Sequence, residues 1–410
     1  MLNILRRGVA ACLLVCVLSL ASTAPAGDYW MYVASYTSRG GKGIYLFKFH
    51  AATGKVEPAG LAAGRLWEAN NDSLKGALPR MLAQMRAGWP SPKAIVRGVQ
   101  NPLSIAVHPN QHYLYTADDN ESGTVSAFRI DPASGKLTVL NERSSAGKSP
   151  TFITFDQTGK NVLVANFYGA TVAVLPLGGD GYLQAASSVI QHQGSGPDRY
   201  ICPHPHSIHV SPDNRFAVAT DLSLDEVLVY RFNADKGTLT PHNPPFVKTP
   251  RGSGARHFIF HPNGRFGYVI EEAGSSVMAM GWDAEHGVFT TNQGVSTLPP
   301  GFHGESAAAD VIVHPSGRFL YGSNRGHDSI AVFAIAADMG TLTPIEFVSS
   351  QGGRPRTLCF DPTGHYLFAA NVEGQNVVQF RVDQITGRLV PTGVTLQVPY
   401  PSAVAFALAK

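Results

Sequence analysis

Short, mostly apolar strands recur along the chain, and each runs into the same kind of polar break. PLSIAVHPN at Pro102, PTFITFDQT at Pro150, PHSIHVSPD at Pro205, ARHFIFHPN at Ala255, ADVIVHPSG at Ala309 and PRTLCFDPT at Pro355 all lead into a turn built on His, Asp or Ser. Pro follows that residue in every copy except the second, where Gln157 stands. A second strand comes next, then a third with clear apolar/polar alternation, as in TVSAFRID, EVLVYRFN, SIAVFAIA and NVVQFRVD. Each third strand closes on a Gly-containing turn followed by Leu, Val or Phe: GKVEPAG, GKLTVLN, GTLTPHN, GTLTPIE, GRLVPTG. The unit returns every 50 residues or so, a period at which radial stacking of small sheets buries what one unit leaves exposed. A seventh copy, PSAVAFALAK at Pro401, stops after one strand, and the strands it lacks, YWMYVASY and GIYLFKF, stand near the start of the chain. Pairing the first and last strands in one blade closes the ring and leaves no free sheet edge. The expectation is an all-β chain folded as a seven-bladed β-propeller, closed by pairing of its N- and C-terminal strands.

Two stretches fall outside the repeat. Residues 1–26 carry Arg6 and Arg7, then the apolar VAACLLVCVLSLA, then Ala24-Pro25-Ala26 before Gly27. That order reads as a cleaved signal peptide, so the mature domain, 27–410, is expected to be exported to a periplasm or the outside, with no membrane span after cleavage. A second departure, at roughly residues 64–100, contains SLKGALPRMLAQMRAG with Leu74, Leu78, Leu82 and Met85 near helical spacing. It reads as a helical insertion on the rim of a blade, or as a lid bringing Trp67 or Trp89 over one mouth.

Composition narrows the partners. Charged residues make up only 15% of the chain and Gly numbers 42, which suits many buried strands joined by tight turns. Without Arg6 and Arg7, the 32 Lys and Arg fall to 30 against 29 Asp and Glu, so no charge surplus draws a nucleic acid backbone. The mature cysteines, Cys202 and Cys359, stand in different blades and are expected to be free. A monomer acting on a small molecule is expected.

The repeats serve as controls for one another. A residue type present in every blade reads as structural, whereas an ionisable residue where other blades carry bland ones needs another cause. The turn residues His108, Asp156, Ser211, His261, His314 and Asp361 can each bond their own turn, and the strand-end set Asp118, Asn166, Asp221, Glu271, Asn324 and Asn371 is polar throughout. Two positions differ. Six residues before the turn Pro stand Leu103, Thr151, His206, Arg256, Ala309 and Arg356; ten after it stand Asp119, Phe167, Leu222, Glu272, Arg325 and Val372. Equivalent points face one end of the central axis, so His206, Arg256, Glu272, Arg325 and Arg356 should converge. His206 or Glu272 could act as a base, and the guanidinium groups could hold an oxyanion or a carboxylate. The chain lacks a nucleophile elbow and a Gly-rich phosphate loop, and strand alternation turns His206 and His209 to opposite faces, so no metal site or cofactor is expected.

The segments around these residues, CPHPHSIHVSPDNRF, GSGARHFIFHPNGRFGYVIEE, AADVIVHPSGRFLYGSNRGHDSIAVF and PRTLCFDPTGHYLFAAN, resemble the seven-bladed β-propeller lactonase family. That family includes propeller-type 6-phosphogluconolactonases and carboxy-cis,cis-muconate cyclases. The resemblance implies a lactone hydrolase with His206, Arg256, Glu272 and Arg325 in its catalytic site, and Arg199 matches a further family position. By their chemistry Arg199 and Arg356 are expected to bind substrate. His206, helped by Glu272, would activate water, while Arg256 and Arg325 stabilise the oxyanion. A muconate-type lactonising enzyme and a propeller that only binds a ligand or protein are the alternatives.

Overall fold

The computed structural model describes residues 27–64, 99–196 and 201–410. The expected signal peptide at 1–26, nearly all of the expected helical insertion with Trp67 and Trp89, and Arg199 lie outside the described residues.

The described residues form twenty-eight strands in seven four-stranded antiparallel sheets. In the blade that opens at Pro205 the strands Pro205–Val210, Phe216–Asp221, Glu226–Asn233 and Thr238–Lys248 pair in chain order. The other blades repeat this plan, so the Gly turn and apolar residue seen in each sequence unit open a fourth strand. That strand is outermost and largely exposed, as Thr238–Lys248 shows, and its apolar signal is correspondingly thin. The second strands lie between neighbouring blades and are covered on both faces. Asn161–Asn166 and Phe216–Asp221 are buried at every residue, which is why they read as continuous apolar runs.

First strands surround the axis, each packed on the next, until Pro401–Leu408 meets Pro102–Val107. The closing blade is assembled from both ends of the domain. Tyr29 pairs with Leu408, Met31 with Phe406 and Val33 with Val404, and Asp28–Ser35 continues outward to Gly43–His50 and Lys55–Gly64. Every first strand also carries one residue more than its partner. The ladder passes from Pro205/Asp221 to Ser207/Thr220 and from Ala255/Glu271 to His257/Ile270, leaving His206 and Arg256 as bulged residues. The same shift occurs in the other five blades. A bulge re-aims its side chain out of the pleat, here toward one mouth of the channel.

Blades are laced at two further repeated points. Nδ1 of His108, His261 and His314 accepts a backbone N–H of its own turn at 3.1 Å, as the sequence implies. The other ring nitrogen reaches the next blade and lies 2.7, 2.7 and 2.9 Å from the carbonyl oxygens of Gly159, Gly317 and Gly364. The Tyr32, Tyr115, Tyr268 and Tyr321 hydroxyls donate in the same manner to Gly135, Gly181, Gly340 and Gly387. Gly317 has φ +71°, and a Cβ there would stand 2.7 Å from His261 Cε1. Gly317→Ala is therefore expected to lower the unfolding free energy by about 1–3 kcal/mol through strain and loss of this lacing. Urea denaturation monitored by tryptophan fluorescence measures the change.

Candidate active site

At the mouth toward which the bulges point lies a cavity of about 240 Å³. Leu103, Thr151, His206, Arg256 and Arg356 line it from the bulged positions, and Asp119, Phe167, Leu222, Glu272 and Arg325 from the ends of the second strands. The two sequence positions that differ between blades thus face one space. Its wall is firm on the His206 side, where Phe167 meets the His204 ring at 4.4 Å and the His206 ring at 5.6 Å.

Charge is concentrated opposite. Arg256 has no exposed surface, yet lies in the cavity wall. Its Nε stands 2.9 Å from Glu272 Oε2, although the N–H is not directed along that line, and its Nη1 donates to the Ala309 carbonyl. Nη2 has no partner among the described residues. Arg325 Nη2 approaches the same carboxylate oxygen at 2.7 Å, and the guanidinium also donates to the carbonyls of Ala307 and Ala308 at 3.2 and 3.3 Å. Burial, followed by Arg325 and Arg356, pushes the Arg256 pKa down to about 9, so the side chain remains a cation at neutral pH. Arg356 makes a different contact, its guanidinium lying 6.0 Å from the centre of the Tyr36 ring.

His206 is buried, with Nδ1 unpartnered. Burial first, then Arg256, His257, Arg356 and Arg325, hold its pKa well below the ordinary histidine value. It is a neutral imidazole in a positive surrounding, which disfavours its imidazolium.

The lactonase family model, described as a 7-bladed beta-propeller, matches residues 87–406. The chain belongs to the seven-bladed β-propeller lactonase family. This lactonase is 35% identical over 382 residues to the 6-phosphogluconolactonase of Bacillus subtilis (strain 168), spanning 92% of this chain and 98% of that protein. A 6-phosphogluconolactonase of Formosa agariphila is 28% identical across 88% of this chain and 94% of its own length. Among solved structures, the Pseudomonas aeruginosa periplasmic gluconolactonase superposes with a TM-score of 0.80 at 29% identity, covering 94% of this chain and all of that one. The lactone-hydrolase reading of the sequence agrees with these relatives.

His206, Arg256, Glu272, Arg325 and Arg356 all reach the lactonase cavity. Glu272 stands within ion-pair distance of both Arg256 and Arg325. Although burial raises its pKa, Arg325 and then Arg256 lower it below the ordinary glutamate value, so the carboxylate is a weak base committed to an ion-pair triad. Sequence reasoning missed Tyr36, Ser149 and Tyr168, which also line the cavity. Tyr36 follows Ser35 as Asp119 follows Asp118, so carrying the offset across the split blade would have found it. Cys202 and Cys359 are not joined to each other. Among the described residues no helix is long and apolar enough to cross a membrane.

Removing one member of a buried triad leaves uncompensated charge, which typically destabilises by about 3–5 kcal/mol. Glu272→Gln is expected to lower stability at neutral pH by an amount of that order. The wild-type contribution is fully present above the ordinary glutamate pKa and is lost as pH falls through the lower folded value. Denaturant midpoints of the two proteins should therefore converge on acidification.

Proposed function

We propose that this lactonase is exported and opens an unphosphorylated sugar lactone, with His206 as general base and Arg256 and Arg325 as oxyanion donors. The charge balance of the cavity carries this reading. Among its described lining residues Arg256, Arg325 and Arg356 face Glu272 and Asp119, which leaves a surplus of one positive charge. Two guanidinium groups are already shared with Glu272, and Arg356 has no hydrogen bond or ion pair among the described residues. One surplus charge matches a single oxyanion forming in the transition state, whereas a bound phosphate would demand more. The leader at 1–26 supports export, and 6-phosphogluconolactone is a cytosolic intermediate.

His206 removes a proton from water as the water oxygen bonds to the lactone carbonyl carbon. The carbonyl π electrons move onto oxygen, where the unpartnered Arg256 Nη2 and the Arg325 guanidinium supply donors. Collapse breaks the ring C–O bond, and the proton held by His206 passes to the departing ring oxygen. The product is a hydroxy acid. Arg356 binds the hydroxyl-bearing end of the substrate or the released carboxylate.

The test is proton release by the purified mature protein with gluconolactone, 6-phosphogluconolactone and a muconolactone. Gluconolactone should give the highest kcat/KM. Under those conditions His206→Ala should lower kcat about 10²–10⁴-fold and Arg256→Ala about 10²–10³-fold. A preference for the phosphorylated lactone would move the substrate to that class. Absence of turnover on all three would leave a binding propeller.

A further inference from the structure

Beyond the cavity the axis opens into a second chamber of about 190 Å³, whose ionisable lining residues are His209, His257, Asp310 and Arg356. Leu103, Thr151 and Arg356 border both spaces. His257 follows the bulged Arg256, and the two side chains enter different levels of the channel.

Nδ1 of His257 lies 2.7 Å from Oδ1 of Asp310 in the next blade. Asp310 is itself fixed, since Oδ1 accepts the N–H of Val311 at 3.0 Å and Oδ2 that of Leu358, one blade further, at 2.9 Å. Burial alone would raise the Asp310 pKa, but the bond from His257, the Leu358 N–H and the Arg256 charge hold it below the ordinary value, so the group is a carboxylate. Burial and then Arg256 push His257 down to about 4, so its ring is neutral. A neutral imidazole can bond a carboxylate only through its N–H. The His257 proton therefore sits on Nδ1, and Nε2 presents a lone pair.

That Nε2 is buried without a partner among the described residues, and so is Nδ1 of His206. The two rings lie 5.0 Å apart between centroids, at 60°. Leaving both nitrogens unsatisfied is unfavourable, and one N–H···N bond satisfies the pair. We propose that Asp310, His257 and His206 form a relay across three consecutive blades, in which Asp310 and His257 are positioning residues that keep the His206 proton on Nδ1 and its Nε2 lone pair toward the cavity.

The relay rests on the lactonase reading above and resolves a difficulty within it. Arg256, Arg325 and Arg356 face His206, and Arg256 and Arg356 also face His257, with His209 nearby. All of these disfavour an imidazolium. Asp310 is the anion that can stabilise it, acting through His257. When His206 takes the proton of water on Nε2, its Nδ1–H strengthens a bond to the His257 lone pair, and His257 in turn presses its own N–H onto Asp310. No proton needs to leave His206 until it returns to the ring oxygen. The N–H···N contact is open in this structure, and its closure is a tightening of the kind that substrate binding produces at catalytic hydrogen bonds.

Asp310→Asn in the full mature chain tests the relay, using a lactone that the wild type turns over. The kcat should fall about 10²-fold or more, as when a base loses the carboxylate that sets its tautomer, with KM changed by less than about threefold. The acid limb of the kcat/KM profile should move to lower pH, because a carboxylate that raises the His206 pKa has been removed. Unchanged kcat with an unmoved limb overturns the relay. Since Asp310 also holds two backbone N–H groups, the substitution could unfold the ring, so the wild type supplies a second measurement. Heteronuclear NMR of isotope-labelled histidines at neutral pH should show His206 and His257 both protonated at Nδ1. A His206 protonated at Nε2 overturns the proposal, whereas lack of lactone turnover by the wild type overturns the activity and leaves the tautomer result standing.

Discussion

Each first strand carries one residue more than its partner at the same point of the ladder, and seven such strands converge on one axis. An unpaired residue in one isolated sheet would merely bend it. Repeated around a ring, the same defect directs Leu103, Thr151, His206, Arg256 and Arg356 into a common space, while Thr151 and Arg256 also donate to the carbonyls of His206 and Ala309 in the next blades. Blades that carry Leu103 or Thr151 at the bulge supply uncharged wall, and blades that carry His206, Arg256 or Arg356 supply ionisable groups. The scaffold tolerates this because the lacing that holds neighbours together, from turn histidines and second-strand tyrosines to glycine carbonyls, lies away from the bulge.

Burial decides what those groups can do. Arg256 is wholly enclosed, so its charge must be met inside the protein, and Glu272 meets it while also gripping Arg325. This triad fixes two guanidinium groups rigidly and spans the boundary between two blades. Rigidity of that kind favours stabilising charge that appears only in a transition state, because no donor has to reorganise when it forms. The same positive field weakens His206 as a base. A site built this way needs negative charge close to the histidine yet out of reach of the substrate, and the second chamber holds it in Asp310.

The ring, its split blade and the two functional positions were legible because each repeat is a copy against which the others can be read. Contacts between blades were not, since repeat offsets give no distance across a boundary. Glu272 could be placed at the mouth from sequence, but whether it meets His206 or two arginines depends on which side chains cross the gap. The turn histidines were read correctly for Nδ1 and missed for the other ring nitrogen, which serves the neighbouring blade. His257 and Asp310 stand five residues before their turn Pro, where other blades have Ser104, Phe152, Ser207 and Thr357. They carry the same contrast between ionisable and bland residues as the positions six before and ten after that Pro. The fourth strands were faint because an exposed outer edge asks little of its side chains.

The composite blade also governs when this protein can become a protein. Tyr29 waits for Leu408, so the ring cannot close until the last strand has left the ribosome, and every earlier state exposes an unpaired edge. Pairings so distant along the chain fold slowly. The first and last strands therefore stay apart until synthesis is complete, and pairing of Asp28–Ser35 with Pro401–Leu408 is the step that removes the open edges.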